Sequence, residues 1–156
     1  MTKKSELKVN LKGLDELLKN LKEKAVVKLG IFSDNNSRTE GLTNAEIGAK
    51  HEFGSLSEGI PRRSFLLDPI VRKKKELIKK AQRVIKDNIA KKDGKEKILE
   101  LIGIAGEAIV QEAFETGGFG MWKALSQITI NKKGSDRILI DSSQLRRAVT
   151  SKVDKE

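Results

Sequence analysis

The sequence predicts an α+β domain: a small, mostly antiparallel sheet packed against two long helices, with extended surface loops. Short segments of two-residue apolar alternation sit toward both ends of the chain. Two long segments of helical periodicity lie between them, joined through a Lys-Lys-Asp-Gly break. With 156 residues, no internal repeat and no cysteine, the chain is one ordinary domain, 1–156, that must be held by a core.

The elements follow in order. Leu7, Val9 and Leu11 alternate with Lys8, Asn10 and Lys12, as in a half-buried strand. Leu14, Leu17, Leu18 and Leu21 then fall on one helical face. AVVKLGIF (25–32) is β-branched and apolar and predicts a strand, with Gly30 as a bulge candidate. Residues 33–42 carry turn chemistry and are expected to form a mobile loop. Thr43 and Glu46 have capping-box spacing and announce a short helix that runs to about Glu52 and stops at Gly54. A second loop spans 54–63. Asp68-Pro69 has the form of an N-cap with proline at the first helical position, although a start nearer Ser64 is also open. From there Ile70, Val71, Leu77, Ile78, Ala81, Val84, Ile85 and Ile89 make an amphipathic stripe.

Asp93 and Glu96 have capping-box-like spacing at the start of the next helix, roughly 95–115, which is apolar around most of its circumference and is expected to lie centrally. Gly103 and Gly106 each cost this helix about 1 kcal/mol against alanine, so a close approach by another backbone, of this chain or of a neighbour, is expected there. Gly117 fits a helix C-cap, and 116–121 reads as a flexible break. The remainder predicts an irregular or strand segment through Ile130, a strand at 137–141, a short helix near 143–147, and a last strand with Val149 and Val153 on one face.

Composition narrows the chemistry. The absence of cysteine removes disulfides, thiolate metal sites and a cysteine nucleophile. The basic start lacks the apolar run of a secretory signal, and no segment has the apolar length of a membrane span. A net charge of +10 fits either an anionic neighbour or simply lysine-rich solvated helix faces. Aromatic content of 4% with no tyrosine supplies little stacking surface for single-stranded nucleic acid.

His51 and Glu52 are the first enzyme candidates. Neighbours on a helix point about 100° apart, so the pair does not face itself, and no second histidine or nucleophile elbow accompanies it. The glycines of GGFG follow a helix instead of opening one, unlike a phosphate loop. No cofactor, metal or catalytic site is expected. Arg72, Lys73, Lys74, Lys75, Lys79 and Lys80 supply a generic basic face, of which Lys73, Lys74, Lys79 and Lys80 are the candidates for contact with DNA. A protein-interaction reading absorbs more of the unusual residues. Phe53 and Phe65 flank a Gly/Ser/Pro loop that presents Arg62 and Arg63 as paired guanidinium forks. Trp122 either caps the core or inserts into a partner.

HEFGSLSEGIPRRSFLLDPI resembles the H-E-F-G-(loop)-I-P-x-R-x-F-L segment of the virion-morphogenesis, or tail-completion, family of tailed bacteriophages. Residues 122–149, with Trp122, Leu125-Ser126, Thr129-Ile130 and ILIDSSQLRRAV, resemble that family's second block. Ser64 stands where the family often has proline, Ala148 where serine is common, and Ser143 where glycine is usual, a residue that permits positive φ. The resemblance implies a structural virion protein that acts as a ring, commonly six-fold, at the junction of head and tail (tail completion, neck or tail terminator). Its implied partners are further copies of itself, adjoining tail and head-connector proteins, and packaged DNA touched without sequence preference. Neither a membrane nor a small-molecule substrate is implied. Phe53, Arg62, Arg63, Phe65, Trp122, Arg146 and Arg147 are the expected protein-interaction residues. The alternative is a basic, non-sequence-specific nucleic-acid-binding protein.

Overall fold

The computed structural model describes residues 25–38, 41–89, 91, 94–139 and 143–155. The expected strand at 6–12 and the helix after it lie outside the described residues. The rest is a small α+β fold: two antiparallel strands packed against helices.

β1 (Ala25–Ile31) alternates as its sequence demands, with Val26 and Lys28 outward and Val27, Leu29 and Ile31 turned toward the interior. It pairs with β2 (Val149–Lys155) in unbroken register from Ala25 opposite Lys155 to Ile31 opposite Val149. Gly30 sits opposite Thr150 in that register, so the bulge expected there does not form. Between them in sequence come α1 (Asn44–Phe53), α2 (Leu67–Arg72), α3 (Lys74–Asn88), α4 (Gly94–Glu115), α5 (Gln127–Lys133) and α6 (Gln144–Ala148).

The 33–42 loop is tied down over its described part. A 3-10 turn at Ser33–Asn35 is fixed to β2 by Asn35 Nδ2 donating to Thr150 Oγ1 at 3.2 Å. Asn44, buried at the head of α1, donates to Asn35 O at 2.9 Å and accepts from Arg38 Nε at 2.7 Å. The capping box forms as its spacing predicts: Thr43 N donates to Glu46 Oε2 at 2.8 Å, and Glu46 N to Thr43 Oγ1 at 3.3 Å.

The amphipathic stripe after residue 66 is two helices, broken at Lys73, whose ψ of 12° interrupts the helical path. Asp68 lies inside α2 and does not cap it. The central helix is α4, packed on the sheet on one side and on α3 on the other. Gly103 and Gly106 face the sheet. A Cβ on Gly103 would stand 2.4 Å from Ser151 Oγ and 2.8 Å from Ser151 Cβ, and one on Gly106 would stand 3.3 Å from Leu29 Cδ2. A close approach does occur there, within this chain, but side chains of the sheet make it and not a backbone. α4 ends as predicted, with Gly117 at φ 62° and Gly118 N donating to Ala113 O at 2.7 Å.

Two readings of the C-terminal third are corrected. The segment through Ile130 is helical in α5, because Ser126 caps it by accepting from Thr129 N at 3.2 Å and Gly134 closes it at φ 69°. Residues 137–139 form a turn with Leu139 at φ 58°, so the described part of the expected 137–141 strand is absent. The short helix and last strand appear as α6 and β2. Ser143 enters α6 at φ 60°, taking the left-handed conformation that glycine adopts at less cost.

The core lies where α4 meets the two loops. Phe114 packs tilted against Phe65, with ring centroids 5.2 Å apart, and edge-on against Trp122 at 5.8 Å, with Val110, Ala113, Leu145 and Val149 around them.

Candidate functional site

The HEFG segment ends α1 and builds a brace. Glu52 is 6% exposed, and its carboxylate accepts four hydrogen bonds: Ser64 Oγ–H at 2.6 Å, and the backbone N–H groups of Phe65, Leu66 and Leu67 at 2.9, 3.0 and 3.0 Å. Those amides lead into α2, which has no cap from its own N-terminal residue. A carboxylate from a distant helix supplies the acceptor. Ser64 Oγ completes the arrangement by accepting from Asp68 N at 2.9 Å. Both Glu52 oxygens are thus occupied by these four donors, none of which is His51.

The same brace captures the second sequence block. Trp122 Nε1 donates to Ser64 O at 2.9 Å, and Arg63 Nε donates to Lys123 O at 3.0 Å. Arg63 N donates to His51 O at 2.7 Å. Arg63, Phe65 and Trp122 are buried at 6%, 2% and 9% exposure. Arg63, expected to present an outward fork beside Arg62, is turned inward, Phe65 joins the core, and Trp122 caps it, the first of its two expected placements; together they weld the two blocks to each other and to the core. The sequence obscured this because arginine beside arginine reads as paired surface charge, whereas the backbone turns one in and leaves one out.

What remains outside is a stiff loop. Gly54 takes φ 79°, and a Cβ there would lie 3.0 Å from Arg62 N on the returning strand. Ser55 and Ile60 exchange two backbone hydrogen bonds at 2.9 and 2.8 Å, and Gly59 N donates to Leu56 O at 3.2 Å across the tip. Phe53 is 72% exposed and Leu56 is 103% exposed. Glu58 pairs with Lys50 at 2.6 Å. Arg62 grips Asp68 through two hydrogen bonds of 2.6 and 2.7 Å, which holds the Asp68 carboxyl below its ordinary range.

A cleft of about 590 Å³ opens beside α1, α5 and α6. Its apolar wall is Ile47, Leu125, Ile128, Leu139 and Leu145, and the charged side chains among its described lining residues are Arg38, Arg63, Lys132 and Lys133. His51 lines it as well, with Nδ1 buried and without a hydrogen-bond partner. Burial, and then the charge of Arg63, push the His51 pKa below its ordinary 6.5, so the neutral ring is favoured.

The other expected residues are dispersed. Arg146 donates from Nε to Gln111 Oε1 and pairs with Glu115, both at 2.5 Å, which fastens α6 to α4. Arg147 is exposed on α6. Lys73 bridges Glu76 and Glu112 at 3.2 and 3.3 Å, which raises its pKa, and its Nζ lies 5.1 Å from the Phe119 ring centroid. Lys80 pairs with Glu76 at 3.0 Å, while Lys74 and Lys79 stand exposed. Sequence reasoning missed Glu52 as the brace and Leu56 as the most exposed apolar side chain. The Glu-Phe-Gly pattern held the first signal, and a leucine isolated between serines held the second.

Among the described residues no group of three or more His, Asp or Glu side chains has metal-site geometry, and no helix is long and apolar enough to cross a membrane. Comparison with known proteins adds no relative. No protein-family model, curated protein or solved structure matches the chain.

Proposed function

We propose that this chain is a structural virion protein of a tailed bacteriophage or prophage, forming a ring at the head–tail junction that joins tail to capsid. Its role is binding, not turnover. The observation that carries the reading is the braced loop: an apolar pair, Phe53 and Leu56, is held out in solvent by a buried carboxylate, a positive-φ glycine and a closed hydrogen-bonded tip. Exposed apolar side chains on a loop stiffened at that cost favour contact with another protein over solvation. The two family-like blocks also support the reading, because Trp122 and Arg63 make them one structural unit.

The test uses virions. In particles carrying an epitope on this chain, immunogold label is expected at the collar. Host cells making a phage deleted for the gene are expected to accumulate separate filled heads and tails. Normal infectious particles that lack the chain overturn the proposal. A second reading, a basic non-sequence-specific nucleic-acid-binding protein, rests on the net charge of +10 and predicts tight duplex binding by the isolated chain.

A further inference from the structure

We infer that the 55–60 loop of one copy docks into the Ile128–Lys132 cleft of the next, so that copies join head to tail through two different surfaces. This rests on the ring reading and names the surfaces that would close it. The loop tip offers a fully exposed Leu56 and, two residues on, Glu58, the one charge between Ser55 and Ile60. The cleft offers the complement. Ile128, 71% exposed, and Lys132 lie four residues apart on one face of α5, with Arg38 and Arg63 also among the described residues that line the cleft.

Size agrees, since about 590 Å³ lies in the range that encloses a small ligand and exceeds one leucine side chain several-fold. The loop's existing Lys50–Glu58 pair is exposed, and such pairs contribute about 0–1 kcal/mol, so redirecting Glu58 to a neighbour costs little. Orientation agrees as well. His51 lines the cleft and Phe53 stands at the loop's root, and two residues on a helix are turned about 200° apart. The two surfaces thus leave α1 in roughly opposite directions. A heterologous contact of this kind generates rings or filaments, whereas a self-complementary patch stops at a dimer.

The chain has no cysteine, which permits a direct test. Full-length L56C and I128C proteins are mixed in equal amounts and mildly oxidised. Both positions are exposed, so neither change disturbs the core. The expected result is an L56C–I128C dimer several-fold above the statistical share, reduced when the I128C copy also carries Lys132→Glu. A statistical mixture, dominance of the L56C–L56C dimer, or no linkage overturns the pairing. Collar rings that persist with Leu56→Asp, without this cross-link, sink the pairing and leave the ring reading standing. The cross-link in a chain absent from the collar sinks the ring reading and leaves the pairing.

Discussion

Glu52 shows how much one side chain decides here. A carboxylate at 6% exposure is costly to bury unless its oxygens are satisfied, and here each oxygen accepts two hydrogen bonds. Removing it orphans three amides at once, and each unsatisfied buried donor costs about 1–3 kcal/mol. Glu52→Ala is therefore expected to lower stability by about 4 kcal/mol, and Glu52→Gln, which keeps one acceptor oxygen, by about 2 kcal/mol. Urea unfolding measures both, with the midpoint falling at unchanged slope. A loss under about 1 kcal/mol for Glu52→Ala would mean that the four bonds contribute little and the loop is not braced from α1. The position was legible as unusual from its sequence pattern. Its role was not, because the three amides it serves come from residues 13 to 15 positions away and carry no side-chain signature.

Among the elements, α4 against the sheet is the contact on which the fold turns. Its paired glycines were legible as a packing surface, since a helix tolerates their cost only where something comes close. Gly103→Ala should gain about 1 kcal/mol of helix propensity and lose more, because the new methyl overlaps Ser151, whose Oγ already donates to Glu107 Oε1 at 2.6 Å. The expected net is a destabilisation of about 1–3 kcal/mol, relieved in the Gly103→Ala/Ser151→Gly double variant. A double-variant cycle in thermal unfolding that shows simple additivity would refute the close approach. Two of the elements misread from sequence have identifiable causes. Ile128, Thr129 and Ile130 have strand propensity, but Ser126 at one end and Gly134 at the other terminate a helix around them, and caps outweighed propensity. The division of the long stripe at Lys73 was hidden because Ile70 and Leu77 keep the apolar face on both sides of the break.

For the whole molecule the open physical question is what the charge of +10 faces. Of the lysines singled out in sequence, Lys73 pairs with Glu76 and Glu112, and Lys80 with Glu76. Geometry selects an overlapping set. Lys75, Lys79 and Lys86 are all exposed and, at spacings of four and seven, share one stripe of α3. If that stripe lines a channel, the isolated chain should bind duplex DNA weakly, with Kd of about 10⁻⁴ to 10⁻⁶ M at physiological salt and no sequence preference. Each phosphate contact contributes a slope of about −0.9 to log affinity against log salt, so reversing all three lysines to glutamate should reduce the slope by about 3. Fluorescence anisotropy over a salt series reads this directly. An unchanged slope would assign the stripe to solvent. Tight duplex binding by the isolated chain that falls steeply with salt and shows no sequence preference would favour the nucleic-acid-binding alternative over a ring through which DNA merely passes.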